Sequence, residues 1–281
     1  MPQLTWLITG CSSGFGQEFV HQILSRGDKV IATGRSLSKL QNHEQAGAGT
    51  LELDVTDSQE SINHVVSRAV EVHGQIDVLV NNAGFMMGGS VEDLTHEEFL
   101  AAFNTNVFGP IKVTRAILPY FRKRKTGTMV FISSLSGWVG HPFTGAYASS
   151  KFALEGVVES LQQETAPFGL RTLLVEPGRF RTKLLSESNL KSSQSQFQDY
   201  EAASTVYNKF LRQENTNQPG NPEKFASLVL DLVREEGCAE GKSVPFRLPV
   251  GLDAVKDISG KLKEMGDVID EWRDVITATD Y

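Results

Sequence analysis

Two residues near the middle of the chain, Tyr147 and Lys151 in the stretch YASSK, have side chains and a spacing that suit proton transfer. Residues four apart on a helix lie on the same face, so the phenol of Tyr147 and the ammonium of Lys151 would lie side by side. A phenol beside a positive charge is a candidate proton donor. The pair is also typical of an exposed helix without function, so both interpretations stay open until the surrounding sequence is considered.

A glycine-rich turn in the stretch TGCSSGFGQEFV is the second candidate for chemistry. Gly10, Gly14 and Gly16 follow an apolar run and precede an amphipathic one, which indicates a strand, a turn and a helix. The free N–H groups and the dipole of a helix N-terminus attract an anion such as the pyrophosphate of a dinucleotide. A purely structural turn is the alternative, because the spacing Gly-x-x-x-Gly-x-Gly differs from the common Gly-x-Gly-x-x-Gly.

The end of the next apolar run, VIATGRS, indicates which dinucleotide would bind. NAD-binding folds usually place a carboxylate there for the ribose 2'-hydroxyl, whereas an arginine accommodates a 2'-phosphate. This chain has Gly34 and then Arg35, whose guanidinium can bind phosphate through two hydrogen bonds. Ser12 in the glycine turn could add a hydroxyl contact. We therefore expect NADP(H), and an ordinary solvated arginine is the alternative.

Short apolar runs and longer amphipathic runs alternate along the first part of the chain, and these elements must position the candidate groups. Residues 58–74, for example, repeat apolar side chains at helical spacing. The alternation predicts an α/β fold, a Rossmann-type doubly wound parallel sheet of about seven strands with helices on both faces. We expect a single domain over residues 1–281. The apolar runs are residues 4–9, 29–33, 50–55, 76–81, 128–133 and 171–176.

The alternation stops after residue 176. The polar stretch rich in Ser and Gln that follows is longer than a structureless loop in a compact domain should be. Its scattered aromatic residues could form short amphipathic helices, so we interpret residues 183–221 as an inserted substrate lid, with mere surface decoration as the alternative. A helix then restarts, with Asn221 and Pro222 at its start and Gly237 as its C-cap. A C-terminal helical extension is expected at residues 252–276.

The overall composition excludes several classes of protein. The net charge of −7 lacks the basic footprint of a nucleic-acid binder. The two cysteines, Cys11 and Cys238, are too few for a disulfide framework or a zinc cluster, and no group of His, Asp and Glu has the spacing of metal ligands. No signal pattern and no apolar run of membrane-spanning length is present. These features are typical of a cytoplasmic protein, and we expect no metal, no nucleic acid and no membrane span.

Seven short motifs occur in a fixed order: TGCSSGFG, LDVTD, NNAG, Asn106 in NTNVFG, Ser134 in ISS, YASSK and PGRFRT. In this order they resemble the short-chain dehydrogenases/reductases of the classical type, and the resemblance covers about residues 4–276. The stretches ITGCSSGFG and VEPGRFRT, with the tail QPGNPEKFA to RLPVGLDA, are most similar to the group related to 17β-hydroxysteroid dehydrogenases and retinol dehydrogenases. That group label limits the fold and the cofactor more than the substrate.

The resemblance implies a role for each matching position. A catalytic tetrad would consist of Asn106, Ser134, Tyr147 and Lys151. Tyr147 would donate the proton in reduction, Lys151 would lower its pKa and bind the nicotinamide ribose, Ser134 would donate to the substrate oxygen and Asn106 would hold a water. The cofactor would contact Gly10, Ser12, Ser13, Gly14, Phe15, Gly16, Arg35, Asp54, Val55, Asn81, Ala83, Gly84, Tyr147, Lys151, Pro177, Gly178 and Thr182. Arg179 and Arg181 have no role in this assignment.

The function expected from these residues is NADPH-dependent reduction of a ketone or aldehyde carried by a hydrophobic small molecule. Met86, Met87, Trp138 and Phe143 would make the site apolar, with scattered use in the core as the alternative. Oxidation of a steroid-like or retinoid-like alcohol is the second hypothesis, because the tetrad serves both directions. A silent NADPH-binding sensor is the third, and the complete tetrad disfavours it. Members of the family commonly assemble, so a homodimer or homotetramer is expected.

Overall fold

A computed structural model describes residues 2–186, 189–192 and 195–281. Within these residues the strands are β1 Thr5–Ile8, β2 Lys29–Gly34, β3 Gly49–Glu52, β4 Val78–Asn81, β5 Met86–Gly88, β6 Thr128–Ile132, β7 Arg171–Pro177, β8 Leu190–Ser192 and β9 Arg247–Val250. The α-helices are α1 Gly14–Ser25, α2 Gln41–Gln45, α3 Gln59–His73, α4 His96–Phe103, α5 Gly109–Arg124, α6 Gly145–Thr165, α7 Gln198–Glu214, α8 Pro222–Arg234 and α9 Leu252–Thr277.

Seven strands form one parallel sheet in the order β3-β2-β1-β4-β6-β7-β9, which confirms the expected doubly wound fold. The chain moves outward from β1 to β3 and then returns to place β4 on the other side of β1. Ile8 in β1 accordingly pairs with Ala32 on one side and Val80 on the other. The strand order reverses there, and ligands of open α/β sheets bind at the carboxyl ends of the strands beside such a reversal.

Alternate residues of the strands build two cores, one on each face of the sheet. Trp6 and Ile8 pack with α1 and α8, whereas Leu7 between them packs with α3, α5 and α6. Both faces are covered, so the central strands β1, β4 and β6 are mostly apolar and do not alternate with polar residues. This burial is why the strands could be recognised as continuous apolar runs, and it holds their carboxyl ends in fixed positions.

Side-chain caps mark the starts of α3, α4 and α8. Ser58 accepts a hydrogen bond from the Ser61 N–H at the start of α3. Asn221 accepts hydrogen bonds at the start of α8, as predicted. The predicted C-cap of α8 at Gly237 is wrong, because the helix ends earlier and Glu235 takes the left-handed conformation, with φ of 55°. Gly237 instead begins a separate turn of 3-10 helix.

The segment interpreted as a lid contains one long helix instead of several short ones. α7 has 17 residues, with Asp199 and Glu201 in its first turn, where acidic side chains complement the helix dipole. β8 pairs with β5 in a two-stranded parallel sheet, with Met86 opposite Leu190. Residues 187, 188, 193 and 194 of the predicted lid lie outside the described residues.

The C-terminal helix α9 packs against the rest of the molecule only through its first turns. Ala254 and Ile258 are buried with Leu135 and Trp138. From Leu262 to the end of the chain every residue is exposed. Of the helices in the described part of the chain, none combines the length and the apolar character that crossing a bilayer requires.

Candidate active site

A cleft of about 1390 Å³ lies at the carboxyl ends of β1, β2, β3, β4, β6 and β7. Its volume exceeds the roughly 300–1,000 Å³ of a site for one small ligand, so it has room for a dinucleotide beside a second molecule. Sixteen of the predicted site residues line it: Gly10, Ser12, Ser13, Gly14, Phe15, Arg35, Asp54, Val55, Ala83, Gly84, Ser134, Tyr147, Lys151, Pro177, Gly178 and Thr182. Gly16, Asn81 and Asn106 lie behind this lining.

The glycine turn presents bare backbone to the cleft. Gly10 and Gly14 have φ of 74° and 59°, which favours glycine. A Cβ at Gly10 would come within 2.8 Å of the Ala83 Cα, so the turn also needs glycine to approach the end of β4. Ser13, at the N-cap of α1, makes no side-chain hydrogen bond to the first turn of the helix. The N–H groups there remain available to an anion, which fits a pyrophosphate.

Two residues of the turn act through packing instead of lining the site by their side chains. A Cβ at Gly16 would come within 2.3 Å of the Gly10 carbonyl oxygen, so Gly16 is needed to close the turn. The ring of Phe15 stacks on Phe225 of α8 at 3.9 Å between centroids and meets Phe180 at 5.4 Å. Phe15 therefore fixes the start of α1 against the core and offers the cleft mainly its backbone.

Arg35 follows β2, the strand that pairs with β1, and is exposed in the cleft lining. No residue in the described part of the chain forms an ion pair or hydrogen bond with its guanidinium, so the positive charge is free for a ligand. Asp54 is nearby in the same lining, but its carboxylate accepts two hydrogen bonds from Thr56, at 2.9 and 2.7 Å. These groups fit a nucleotide that carries a 2'-phosphate.

The predicted contact through Asn81 differs from the structure, and its neighbour Asn82 takes the place in the lining. Asn81 is the last residue of β4, so its side chain points into the helix layer and donates to Thr114 of α5 at 3.1 Å. Asn82 donates to the carbonyl oxygens of Thr9 and Gly10, at 2.9 and 3.1 Å. Asn82, which the prediction passed over in favour of Asn81, therefore joins the glycine turn to the end of β4.

Tyr147 lies in the first turn of α6 and faces Ser134, which follows β6. Both side chains are buried, and both line the cleft. Burial raises the pKa of Tyr147 to about 12, and a hydrogen bond with Ser134 opposes this rise. The expected lowering of this pKa by a neighbouring ammonium is therefore absent from the protein alone, because desolvation of the phenolate is the larger effect.

Lys151 lies one turn further along α6, and its ammonium turns toward the sheet. Its Nζ donates to the Ile132 carbonyl oxygen at 2.9 Å and lies 5.8 Å from the centre of the Tyr147 ring. Burial lowers the pKa of Lys151 to about 8, and the carboxylate of Glu155 opposes this change. Lys151 is thus beside Tyr147, as its spacing predicted, but its first partner is the backbone of β6.

A buried carboxylate, Glu155, lies behind Lys151 and was not singled out by the sequence patterns. Ser133 donates to it at 2.6 Å, and Arg247 of β9 bridges it to the second buried carboxylate, Glu176 of β7. Burial raises the pKa of Glu155 to about 7; Ser133, Arg247 and Lys151 act against this rise, and Glu176 adds to it. The network joins α6 to the ends of three strands. A Glu four residues after Lys151 is the one signal that could have indicated it.

Asn106 is buried in a turn of π-helix, Asn104–Phe108, that separates α4 from α5. Its amide donates to the Phe85 carbonyl oxygen at 3.1 Å and to the Ser150 hydroxyl at 3.0 Å, while its Oδ1 accepts from the Phe85 N–H at 3.2 Å. Asn106 therefore holds the loop after β4 against α6, and Ser150 between Tyr147 and Lys151 gains a defined role. Local π-helix is often found at functional sites.

Arg179 and Arg181 lie in the loop after β7, where both form structural contacts that the sequence did not suggest. Arg179 contacts Asp253 at 3.2 Å and Glu214 at 3.1 Å, which ties the ends of α7 and α9 together. Arg181 donates to the Gln218 carbonyl oxygen at 3.3 and 3.2 Å. Neither charge is left free toward the cleft. Thr182 lies against the glycine turn, with its Cβ 3.2 Å from where a Cβ on Gly14 would be.

Gln218 is a further residue of the lining that sequence reasoning missed. Its side chain is 2% exposed, and neither its amide nitrogen nor its amide oxygen has a hydrogen-bond partner in the described part of the chain. Buried polar groups normally have partners, and each exception calls for an explanation. Its place in the cleft lining makes it a candidate to bond a ligand.

The other half of the cleft is apolar. Met86, Phe143, Tyr207 and Leu211 line it, and the rings of Phe143 and Tyr207 are 5.3 Å apart. Phe143 has φ of 62°, an unfavourable conformation for a residue with a side chain, and it presents its ring at the mouth.

Several residues weighed from the sequence lie elsewhere or have structural surroundings. Met87 and Trp138 belong to the neighbouring cores instead of the lining. His141 lines the mouth, 3.7 Å from Asp257. Cys11 is fully buried, its thiol donates to the Ile8 carbonyl oxygen at 3.3 Å, and burial raises its pKa to about 12, which fits a small core residue.

Known proteins similar to this chain are oxidoreductases by name. The profile of the short chain dehydrogenase family matches residues 5–193. Uncharacterized oxidoreductase YusZ of Bacillus subtilis is 40% identical over 255 residues, 87% of this chain and 88% of that protein. The 3-ketodihydrosphingosine reductase of Bacteroides thetaiotaomicron is 37% identical over 251 residues, 89% and 88% of the two chains. Retinol dehydrogenase 8 of Homo sapiens is 40% identical over 200 residues, 66% of this chain and 63% of that protein.

Solved structures agree with this assignment. A short-chain dehydrogenase from Streptomyces avermitilis superposes with a TM-score of 0.88 at 36% identity, over 99% of this chain and 98% of that one. ElxO with NADP bound has a TM-score of 0.72 at 23% identity, over 91% and 100%. A Burkholderia phymatum short chain dehydrogenase/reductase in complex with NAD has a TM-score of 0.78 at 20% identity, over 92% of each chain. With the matched profile and these relatives, the chain belongs to the short-chain dehydrogenase/reductase family of oxidoreductases.

Proposed function

We propose that this oxidoreductase uses NADPH to reduce a ketone or aldehyde on a hydrophobic small molecule. One observation carries the proposal: the same cleft joins a free arginine, Arg35, to a buried and protonated phenol, Tyr147, and to an apolar surface beside that phenol. The first suits a 2'-phosphate, the second donates a proton, and the third suits an apolar substrate.

The residues present fit the dinucleotide. The turn from Gly10 to Gly16 would hold the pyrophosphate, and Arg35 the 2'-phosphate. Asp54, Val55 and Ala83 would border the adenosine. Gly84, Pro177, Gly178 and Thr182 would border the nicotinamide, with Tyr147 and Lys151 beside its ribose. When bound, NADPH supplies the hydride that the protein lacks.

In this proposal Tyr147 donates its phenolic proton to the carbonyl oxygen as that oxygen gains negative charge. Ser134 donates a second hydrogen bond to the same oxygen. Lys151 supplies the positive charge that stabilises the phenolate left behind. Asn106 fixes α6 by donating a hydrogen bond to Ser150.

The raised pKa of Tyr147 suits the proton donor of the proposed reduction. A phenol with a pKa of about 12 is protonated near neutral pH, as a proton donor must be. In oxidation the same phenol would act as the base, and the positive charges of Lys151 and of a bound oxidised nicotinamide would lower its pKa. Oxidation of an alcohol remains the second candidate function because one relative is a retinol dehydrogenase, 40% identical over 200 residues.

A hydrophobic substrate is supported by the apolar half of the cleft and by two relatives. Dihydrosphingosine and retinol, after which these relatives are named, both carry long apolar chains. Met86, Phe143 and Tyr207 would contact such a chain, with its carbonyl directed at Tyr147.

A panel of ketones and aldehydes of increasing chain length, followed by NADPH absorbance, tests the proposal. We expect kcat/KM to rise with chain length and to be far higher with NADPH than with NADH. The matching alcohols with NADP⁺ are the control for direction. Equal use of both cofactors would contradict the assignment of Arg35, and turnover limited to alcohols would favour the oxidative function.

A further inference from the structure

Four charged side chains from α6, β7 and β9 lie together beside the cleft. Lys151, Glu155 and Glu176 are 5%, 4% and 0% exposed, and the side chain of Arg247 is 28% exposed. Buried charges are costly unless opposite charges balance them. The four side chains therefore have to be considered as one set, in which each positive charge compensates a negative one.

The guanidinium of Arg247 does not balance both carboxylates. It donates to one oxygen of Glu155, and to one oxygen of Glu176 at 2.7 Å. The second oxygen of Glu155 accepts from the neutral hydroxyl of Ser133 at 2.6 Å. The second oxygen of Glu176 is buried and has no hydrogen-bond partner in the described part of the chain. When both carboxylates are ionised, one negative charge is left over.

The ammonium of Lys151 supplies the positive charge that balances this remainder. Lys151 and Glu155 are four residues apart on α6, so their side chains lie on the same face of the helix. The Nζ of Lys151 donates to the Ile132 carbonyl oxygen at 2.9 Å, so Glu155 acts on it through its charge and not through a direct hydrogen bond. Such an attraction is strong where water is excluded.

The carboxylate of Glu155 is held in a fixed place by the turn that follows Ser134. A Cβ on Gly137 in this turn would overlap the carboxylate, so the turn and α6 enclose it. The ring of Trp138 packs on the Arg247 guanidinium, 4.3 Å from the ring centre. These contacts keep the uncompensated negative charge at one distance from Lys151.

The groups that face Lys151 and Glu155 come from each element packed against them. The end of β6 contributes the Ser133 hydroxyl and the Ile132 carbonyl oxygen. The titratable and charged groups come from α6, β7 and β9, and they are Tyr147, Glu159, Glu176 and Arg247.

We propose that Glu155 is a positioning residue: the negative charge that Arg247 leaves uncompensated keeps Lys151 protonated during the proposed reduction. The inference rests on the proposed function, in which the ammonium stabilises the phenolate of Tyr147. Burial lowers the pKa of Lys151 to about 8, and the charge of Glu155 opposes this fall. Without that charge Lys151 would lose its proton at lower pH, and reduction would slow there.

The pH dependence of the lysine and of the reaction tests this role in the full chain. Protein labelled with ¹³C at lysine Cε gives the titration of Lys151 by NMR, and the absence of its signal in Lys151→Met identifies it. The kcat of carbonyl reduction with NADPH is measured over the same range of pH. Glu155→Gln removes the charge and keeps the shape. We expect it to move the NMR titration and the alkaline limb of kcat down by about one pH unit.

Three further variants separate the charge from the packing. Glu155→Asp keeps the charge and should titrate as the wild type does. Glu159→Gln is the matched control, because this exposed residue lies one turn further along α6 and 3.8 Å from Arg247, and both curves should stay unchanged. Arg247→Met removes a positive charge and should move the Lys151 titration upward. Loss of packing alone would not shift Glu155→Gln and Arg247→Met in opposite directions.

An unchanged Lys151 titration in Glu155→Gln would overturn the proposal, as would shifts in the same direction in Glu155→Gln and Arg247→Met. A shifted titration with an unshifted limb of kcat would also overturn it, because the charge of Lys151 would then not serve the reaction. The NMR titration needs no substrate. A shift there without reduction of any carbonyl compound would support the coupling and contradict the proposed function.

Discussion

At the residue scale, the proton of Tyr147 is under opposing influences. Burial of the ring holds the proton on the phenol, with a pKa of about 12, and the hydrogen bond to Ser134 favours its release. Lys151 lies one turn away, yet its ammonium bonds the backbone at Ile132. Spacing alone predicted the neighbours correctly but not their balance, because a desolvation cost depends on what covers the site and not on which residues are four apart.

Substitution of Arg35 should change the preferred cofactor. Arg35→Asp removes the cation that would bond the 2'-phosphate and adds a carboxylate suited to a 2'-hydroxyl. We expect the Kd for NADP⁺ to rise by about 100-fold, because one or two charge-assisted hydrogen bonds are lost. The Kd for NAD⁺ should fall. Calorimetric titration of both cofactors measures this. Arg35→Lys keeps the charge and should lose less; unchanged NADP⁺ affinity in Arg35→Asp would contradict the role.

Glu155 should make the stability of the fold depend on pH. Its pKa rises from 4.5 to about 7 on folding, so the folded state binds the extra proton and stability falls as pH rises through this range. The loss amounts to at most about 3 kcal/mol. Urea unfolding from pH 4 to 8 should give a flatter curve for Glu155→Gln than for the wild type. Identical slopes would mean that Arg247 and Ser133 keep the carboxylate ionised.

Lys151 contributes in the opposite direction at higher pH. Its pKa falls from 10.5 to about 8 on folding, so the unfolded state binds more protons between these values and stability rises with pH. Unfolding measurements between pH 8 and 10.5 should show this contribution as a rise in the stability of the wild type relative to Lys151→Met. Cys11 and Tyr147, whose pKa values rise on folding, act in the opposite direction over part of this range, so the test is the difference between the two proteins. A difference in unfolding free energy between wild type and Lys151→Met that does not change from pH 8 to 10.5 would contradict the buried ammonium.

At the scale of elements, α7 and the loop after β7 close the apolar half of the cleft. Arg179 bonds Glu214 at the end of α7 and Asp253 at the start of α9, so three separate segments meet at one guanidinium. Tyr207 on α7 packs with Met86 and Tyr147. We therefore expect α7 to act on the substrate and not on the cofactor.

Removal of the Tyr207 ring tests this division. Tyr207→Ala should raise KM for a hydrophobic carbonyl substrate by about tenfold, because the contact with one aromatic side chain is lost. The Kd for NADPH should stay unchanged. Tyr207→Phe keeps the ring and should behave as wild type in steady-state kinetics. If Tyr207→Ala instead weakened NADPH binding and spared KM, α7 would belong to the cofactor site.

Local patterns predicted most elements but not all of their surroundings. Strands buried on both faces and the capped helix α3 could be recognised because they depend on short-range rules. The length of α7, the C-cap at Glu235 and the inward turn of Asn81 depend on neighbours far along the chain. For the same reason the partners of Arg179, Gln218 and Glu155 were not foreseen, since each contacts segments more than 20 residues away.

At the scale of the whole molecule, the sheet brings distant motifs to one edge. The residues after six parallel strands meet in a single cleft because all carboxyl ends of parallel strands point the same way. The cleft thus holds both a nucleotide-binding half and an apolar half, with Tyr147 between them.

The central claim, that Tyr147 donates the proton in NADPH-dependent reduction, is tested most directly by Tyr147→Phe. NADPH binding by fluorescence titration and single-turnover reduction of the best carbonyl substrate should be measured on the same preparation. We expect NADPH affinity to stay within about twofold and the rate to fall by about 100-fold or more, the usual contribution of general acid catalysis. A variant that binds NADPH and keeps a tenth or more of the wild-type rate would contradict the account.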